Sequence, residues 1–204
     1  MARRKIADQR RQEIITGLYE CLAANGHEQI TIKDIAKAAH VSYGSLHYYF
    51  KNKKEIIFAL VEDFVKQNEN FLQDLISPIQ SPWERMRTVV SYLIREFVFD
   101  QKITNVFLNL YQMGCHDEDI RHCLMESYAR FRKVVQEIVE YGISHEQFAH
   151  VDSEEFALLF VSSIEGFYLQ VAMDPTLCEQ ETVERLIYDN ARLHLDPKLK
   201  VEAQ

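Results

Sequence analysis

The side chains best suited to chemistry in this chain are concentrated in one run, Thr31 to Lys54, TIKDIAKAAHVSYGSLHYYFKNKK. It brings together hydroxyls, phenol rings, an imidazole and lysines. Tyr and Ser side chains bond phosphates and base edges, and Tyr rings pack on thymine methyls. Lysines at a helix start are unfavourable for the helix dipole. They make sense where a phosphate occupies that end, because ammonium groups and unpaired N–H groups then bind the same anion.

The elements that must carry these groups follow from the spacing. Thr31 and Asp34 form a capping-box-like start for a short helix carrying Ile32, Ile35, Ala36 and Ala39. A turn falls near Ala39-His40-Val41. Ser42 caps a second short helix through Ser45, and that helix runs to about Tyr49. Val41, Leu46 and Phe50 are its packing positions, leaving Tyr43, Ser45, His47, Tyr48 and Tyr49 to point elsewhere. Asn52-Lys53-Lys54-Glu55 reads as another capping box, opening a long helix. Two short helices joined by a tight turn, the second rich in hydroxyls and aromatics, fit a recognition helix for a major groove. The plainer alternative is a helical hairpin with surface tyrosines.

The wider stretch ANGHEQITIKDIAKAAHVSYGSLHYYFKNKKEI resembles the DNA-binding domain of the TetR family of transcriptional regulators. It has a glycine after helix one, a Thr opening helix two, Asp-Ile-Ala within it, then Val-Ser-x-Gly-x-Leu-x-Tyr-Tyr-Phe and a lysine opening helix four. His40 stands where the family usually has Gly, and His47 where a Tyr is common. The resemblance implies DNA contacts from Thr31 and Lys33, from Ser42, Tyr43, Gly44, His47, Tyr48 and Tyr49, and from Lys53 on a phosphate. Gly44 reads as a place of close backbone approach, either to DNA or to helix two.

Charge supports a nucleic-acid reader despite the net −8. Residues 1–54 hold ten Lys/Arg against five Asp/Glu, a net +5, and residues 55–204 hold 13 against 26, a net −13. An acidic body of this kind repels DNA and turns the basic end toward it. Arg3, Arg4, Lys5, Arg10 and Arg11 form a basic N-terminal arm, with two readings open: a reach to the DNA backbone or minor groove, or a solvated tail. That N-terminus has no apolar stretch behind it, so it is not a secretory signal. No run of 18 apolar residues exists, which argues against a membrane span. Both point to the cytoplasm.

The four prolines, Pro78, Pro82, Pro175 and Pro197, leave 1–77 and 83–174 uninterrupted, and no sustained alternation marks a strand. The fold expected is all-α with about nine helices. A three-helix helix-turn-helix DNA-binding domain (1–54) precedes a helical ligand-binding and dimerisation domain (55–204). Helix one is expected over Asp8–Ala24, stopped by Gly26, and helix four over Lys53–Leu75. Ser81, Pro82 and Glu84 open helix five, which carries apolar residues through Phe97. Helix six spans Ile103–Met113, ended by Gly114, and helix seven Glu118–Tyr141, ended by Gly142. Asp152 and Glu155 cap helix eight, which runs to Met173. Helix nine covers Glu179–Leu195, with a loose tail from Asp196-Pro197.

In TetR-like proteins the body holds a small-molecule pocket. The residues assigned here to its lining are Asn68, Tyr92, Phe107, Tyr111, Tyr128, Phe131, Glu165 and Tyr168. An aromatic stripe at helical spacing is more often core than pocket. Glu165, inside the apolar run FVSSIEGFYLQVAM, needs a partner: Arg95, Arg130, or a cation or hydroxyl on a ligand. Helices eight and nine resemble the family's interface pair. Phe156, Leu159, Phe160, Ser163, Phe167, Val183, Leu186, Ile187 and Asn190 would then face a second copy, or else close the protomer's own core.

Other functions find little support. The six glycines form no phosphate-cradling cluster, and Gly-x-Ser-x-Gly and His-Glu-x-x-His are absent, so no catalytic residues are assigned. The four cysteines form no Cys-x-x-Cys pair. Cys115-His116 and His122-Cys123, with Asp117 and Asp119 between them, match no metal-site spacing, and neither metal nor cofactor is expected. The expected protein is a regulator, most naturally a repressor, that binds a palindromic duplex operator as a homodimer and is released by a small-molecule effector. The competing reading is a ligand-binding helical interaction module without operator binding.

Overall fold

In a computed structural model of the chain, the described residues are 2–24 and 30–201. Among them are ten α-helices, one π-helical segment and no strand. The chain divides into two compact units, residues 1–66 with 102–127, and residues 67–101 with 128–204. The unit holding the expected reader thus also takes in 55–66 and 102–127.

In the first unit, α1 (Ala2–Ala24) lies across α2 (Ile32–Ala38) and α3 (Tyr43–Tyr49). The start of α4 (Lys53–Ile76) and parts of α6 (Gln101–His116) and α7 (Glu118–Ser144) complete it. Ile14, Leu18, Leu22, Ile35, Leu46, Phe50 and Ile56 form a core with Val106, Leu110, Ile120 and Leu124. Helix α1 starts earlier than the expected Asp8, and the Gly26 stop lies outside the described residues. The end of α1 is closed by α6: the Asn105 and Asn109 side-chain amides donate to the Ala23 and Leu22 carbonyls, each at 2.9 Å. These carbonyls have no partner inside their own helix, so the two asparagines supply what the helix end lacks.

The second unit packs α5 (Pro82–Leu93), α8 (Ser153–Met173) and α9 (Gln180–Leu195) around a π-helical segment, Ile94–Val98. Helix five was expected to carry on as α-helix. Instead the Phe99 N–H bonds the Ile94 carbonyl at 3.2 Å, five residues back, which widens that turn. Ser81 and Asp152 cap α5 and α8 as expected. The tail expected to be loose contains a short α10, Pro197–Val201.

Two glycines expected as helix stops are not stops. Gly114 is buried inside α6. Gly142 lies in the last turn of α7, and a Cβ on it would fall 2.1 Å from the Phe148 ring. The left-handed residue that ends α7 is Glu146 (φ 57°), with Gln147 N–H bonding the Gly142 carbonyl and Glu146 N–H the Ile143 carbonyl, each at 3.0 Å. That is the paired bonding of a Schellman end, and Gly142 serves ring packing.

One helix revises the membrane expectation. By length and composition alone, α8 is apolar enough to cross a bilayer, and 39% of that apolar window is buried in this structure. Phe156, Phe160, Ile164 and Tyr168 fill the unit's core, while Leu158, Leu159, Leu169 and Met173 stay exposed. A helix apolar on two faces registers as hydrophobic all round.

Gly17 is the tightest crossing in the first unit. A Cβ there would sit 2.9 Å from the Ala39 Cβ and N and from the Ile35 carbonyl oxygen. Since backbone cannot yield as a flexible side chain would, Gly17→Ala should destabilise the protein by about 1–3 kcal/mol. Urea unfolding checks this: the midpoint should fall with the slope unchanged.

Candidate nucleic-acid interface

The α2–α3 connection is held by bonds its own sequence supplies. The Thr31 N–H donates to Asp34 Oδ2 at 2.8 Å and the Asp34 N–H to Thr31 Oγ1 at 3.3 Å, a reciprocal capping box. Helix α2 then ends at a left-handed His40, φ 54°. The His40 N–H bonds the Lys37 carbonyl at 3.2 Å and the Val41 N–H the Ala36 carbonyl at 3.0 Å, another Schellman end. Histidine therefore adopts the conformation usually given to glycine, so the departure at position 40 leaves the turn intact. Ser42 Oγ accepts from the Ser45 N–H at 3.0 Å and starts α3.

This arrangement buries Leu46 and Phe50 and presents the opposite side of α3 to solvent. Ser42, Tyr43, Gly44, His47 and Tyr48 are all exposed, Tyr48 at 78%. Tyr43 and His47 meet edge to face at 4.6 Å, as do Tyr48 and Tyr49 at 5.0 Å. Thr31 and Lys33 are exposed at the start of α2, but the Thr31 hydroxyl is already bonded to Asp34. Tyr49 is half-buried against the core. Nothing lies within 4 Å of a Cβ on Gly44, so close approach to helix two is not its role and the space before it is open.

The lysines opening α4 have protein partners. Lys53 is half-buried and donates to the Ile30 carbonyl at 2.9 Å, and burial lowers its pKa. Lys54 bridges Asp117 at 2.7 Å and Asp119 at 2.8 Å. The Asp117 Oδ1 also accepts from the Asp119 and Ile120 N–H groups, capping α7. One carboxylate thus closes a helix and anchors the first turn of another. Asn52 Oδ1 accepts from the Glu55 N–H, while Glu55 reaches back to the Lys51 N–H, each at 2.9 Å. The exposed cations of this region are Lys33, Lys37 and Lys51; the last two were missed because their signal is exposure alone. Of the basic arm, Arg10 pairs with Glu13 and Arg11 bonds the Tyr49 carbonyl at 2.9 Å. The side chains of Arg3, Arg4 and Lys5 lie outside the described residues.

The expected pocket residues fall into two groups. Phe107 and Tyr111 belong to the first unit, with Phe107 edge-on to Phe64 at 4.9 Å. In the second unit the Tyr92 hydroxyl bonds Asn68 Oδ1, and burial holds the Tyr92 pKa at about 12. Phe71, Tyr92, Phe97 and Phe131 continue as neighbouring rings. The Tyr128 hydroxyl donates to Glu165, a partner the sequence reading had not named, and Arg130 Nε donates to Glu69 at 2.8 Å. Tyr168 is buried. The expected interface residues also divide. Phe156, Phe160, Val183 and Ile187 are buried within the protomer, as the alternative reading of these helices had it. Leu159 and Leu186 are exposed, and Ser163, Phe167 and Asn190 are half-buried.

A segment of net charge +5 over residues 1–54 that displays a short, tyrosine-rich second helix from a helix-turn-helix fits the class of DNA-binding transcriptional regulators. The family model of bacterial tetR regulatory proteins matches residues 14–60, and that of the BetI-type transcriptional repressor C-terminal domain matches residues 82–195. The chain belongs to the TetR family of transcriptional regulators. A curated relative, the HTH-type transcriptional regulator BetI of Brucella anthropi, is 27% identical over 121 residues, 59% of this chain and 62% of the relative. The chain therefore spans less than two thirds of that relative's length. Among solved structures, a transcriptional regulator from Saccharomonospora viridis in complex with choline aligns with a TM-score of 0.79 at 20% identity. The alignment covers 93% of this chain and 98% of that one. The regulator FadR from Bacillus subtilis in complex with stearoyl-CoA aligns with a TM-score of 0.78 at 21% identity, covering 87% and 95%. At these identities the two structures establish the shared fold.

Gly44→Ala should leave thermal stability unchanged or raise it by about 0.5–1 kcal/mol, because the site is open and alanine favours helix. If that open side faces DNA, as the family resemblance implies, the added methyl should lower duplex affinity about tenfold, roughly 1.4 kcal/mol. Thermal melts and fluorescence anisotropy on the same variant separate the two effects. The Lys54 bridge makes a pH prediction. Lys54 holds the Asp117 carboxyl below the usual carboxylate range. A carboxylate with a depressed folded pKa stabilises above its unfolded pKa of about 3.9, and that contribution disappears as pH falls through the folded value. Asp117→Asn should melt lower than the parent at pH 7, with the gap closing below about pH 4.

Proposed function

We propose that this regulator is a ligand-released repressor that binds a palindromic operator as a homodimer and acts in the cytoplasm, without enzymatic turnover. The observation that carries the reading is the exposed face of α3. Tyr43, His47 and Tyr48 are presented by a capped two-turn helix whose opposite side is locked into a core, in a segment of net charge +5. Such a face costs solubility unless something covers it, and a major groove supplies both apolar methyls and acceptors for the phenols. Thr31, Lys33, Ser42, Gly44 and Tyr49 complete the proposed contacts. Lys53 contributes through the helix end it opens, with Lys37 and Lys51 as added phosphate partners.

Dimerisation is supported by the second face of α8 and its neighbour. Leu158, Leu159, Leu169, Met173, Leu186 and Leu193 are exposed on α8 and α9. A two-fold partner would cover them and set two reading heads at fixed separation. The repressor reading draws on the BetI-type C-terminal domain. The effector reading draws on relatives solved with choline and with stearoyl-CoA. In this chain the Glu165–Tyr128 pair, the Asn68–Tyr92 pair and the rings of Phe97 and Phe131 supply polar groups in an aromatic setting, as a small-molecule site requires. The Glu165 carboxylate favours a neutral or cationic effector.

The test is selection of bound duplexes from a random library at near-physiological salt. The expected product is a palindrome with half-sites about one helical turn apart, roughly 10 bp or a multiple. The selected duplex then serves to screen organic cations and acyl-CoA thioesters. An effector that releases DNA must itself bind more weakly to the DNA complex by the same factor. Enrichment of no consensus from folded protein would reject operator binding in favour of an interaction module.

A further inference from the structure

Arg11 belongs to the basic arm by sequence and is exposed, yet its guanidinium is engaged at the end of α3. Its Nη1 donates to the Tyr49 carbonyl at 2.9 Å, and its plane lies over the Phe50 ring with 4.2 Å between guanidinium carbon and ring centroid. Tyr49 is the last residue of α3 and Phe50 its C-cap. Helix α3 has only two turns, so its final carbonyls have no partners inside it, and its negative dipole end is close to every residue it carries. A charged planar donor answers both: one N–H takes the last carbonyl, and the cation sits at the negative end. Phe50 is 1% exposed and locked in the core, which gives the guanidinium a fixed surface to stack on. From the other side, Arg11 is carried on α1 one turn before Ile14 and Ile15, both buried.

We propose that Arg11 is a positioning residue for DNA reading: it fixes the C-terminal end of the recognition helix, and with it the register of Tyr48 and Tyr49, instead of serving as a phosphate-seeking arm. The inference rests on the operator-binding reading above. Ser42 holds one end of α3 by its cap and Arg11 holds the other. Without Arg11, the helix keeps its buried Leu46 but gains freedom to tilt about it, and base contacts that depend on angle suffer more than contacts that depend on charge. Lysine cannot replace it, because an ammonium keeps the charge but loses the planar stack and the fork.

The experiment compares parent, Arg11→Lys, Arg11→Ala and the neighbouring control Arg10→Lys, whose arginine only pairs with Glu13 at the surface. Each is measured against the selected operator and against the same duplex with one half-site scrambled, across a salt series and alongside thermal melts. Arg11→Lys should lose about tenfold in discrimination between the two duplexes while its salt slope stays at the parent value, since the charge count is unchanged. Arg11→Ala should lose the same discrimination, and Arg10→Lys should keep it. Parent-like discrimination in Arg11→Lys overturns the proposal. So does an equal loss on both duplexes, which marks a phosphate contact, or a lowered melt with discrimination intact, which marks a merely structural role. Failure of the parent chain to select any operator rejects the operator reading and this inference with it; failure of the arginine variants alone rejects only this inference.

Discussion

The presentation of α3 depends on how closely α1 approaches the end of α2. At Gly17 the absence of a side chain lets α1 lie against Ala39 and the Ile35 carbonyl, at distances no Cβ could occupy. Ala39 is the C-cap of α2, and the next residue, His40, makes the left-handed turn that redirects the chain into α3. The crossing and the turn are therefore one constraint. If α1 stood off by an ångström, Ala39 and Val41 would lose their packing and the turn would lose the surface it folds against. Core packing transmits such shifts because it is dense and interlocked. The exposure of Tyr43, His47 and Tyr48 is a consequence of this fit behind them.

Charges in the first unit serve geometry as much as attraction. A basic segment invites the inference that each cation awaits a phosphate. Here Arg10, Arg11, Lys53 and Lys54 all have protein partners. The Lys54 case shows why. Two lysines in the first turn of α4 oppose its dipole. Asp117 and Asp119 offset one of them, and Asp117 simultaneously caps α7. A phosphate would have solved the same electrostatic problem, and the sequence does not distinguish a partner supplied by DNA from one supplied more than sixty residues away. What survives of the electrostatic argument is the net +5 and the exposed Lys33, Lys37 and Lys51, a diffuse attraction compatible with salt-sensitive binding.

The parts of the fold legible in the sequence were those governed by local bonds. Thr31 with Asp34, Ser42 with Ser45, Ser81 before Pro82 and Asp152 before its helix all cap where their spacing places them. Helix α3 was legible for the same reason, since Leu46 and Phe50 alone suffice to say which side faces inward. Glycines were less legible because one residue type answers different demands. Gly114 and Gly142 carry the signature of helix stops, but they admit Leu124 and Phe148 respectively, and the α7 stop is made by Glu146. Only the neighbour that the following turn folds back onto the glycine distinguishes these uses. The same holds for Arg11 and Lys53, whose partners are carbonyls that no side-chain pattern announces.

Helix α8 shows where periodicity itself fails. An amphipathic helix reveals its buried side because one face is apolar and the other is not. In α8 two faces are apolar, so a stripe drawn through Phe156, Leu159, Phe160, Ser163 and Phe167 crosses from the core to the surface. The buried members fill the second unit, and the exposed leucines form a separate set that sequence alone could not sort from them. That ambiguity is informative in itself. A helix with one solvated face gains little from Leu158, Leu159, Leu169 and Met173, and each, about half exposed or more, forgoes about 1–2 kcal/mol of burial. The same leucines become favourable once a second apolar surface meets them. Apolar character on two faces thus distinguishes α8 from an ordinary amphipathic helix, and the leucines that the protomer's own core leaves out are the ones an apolar partner surface would cover.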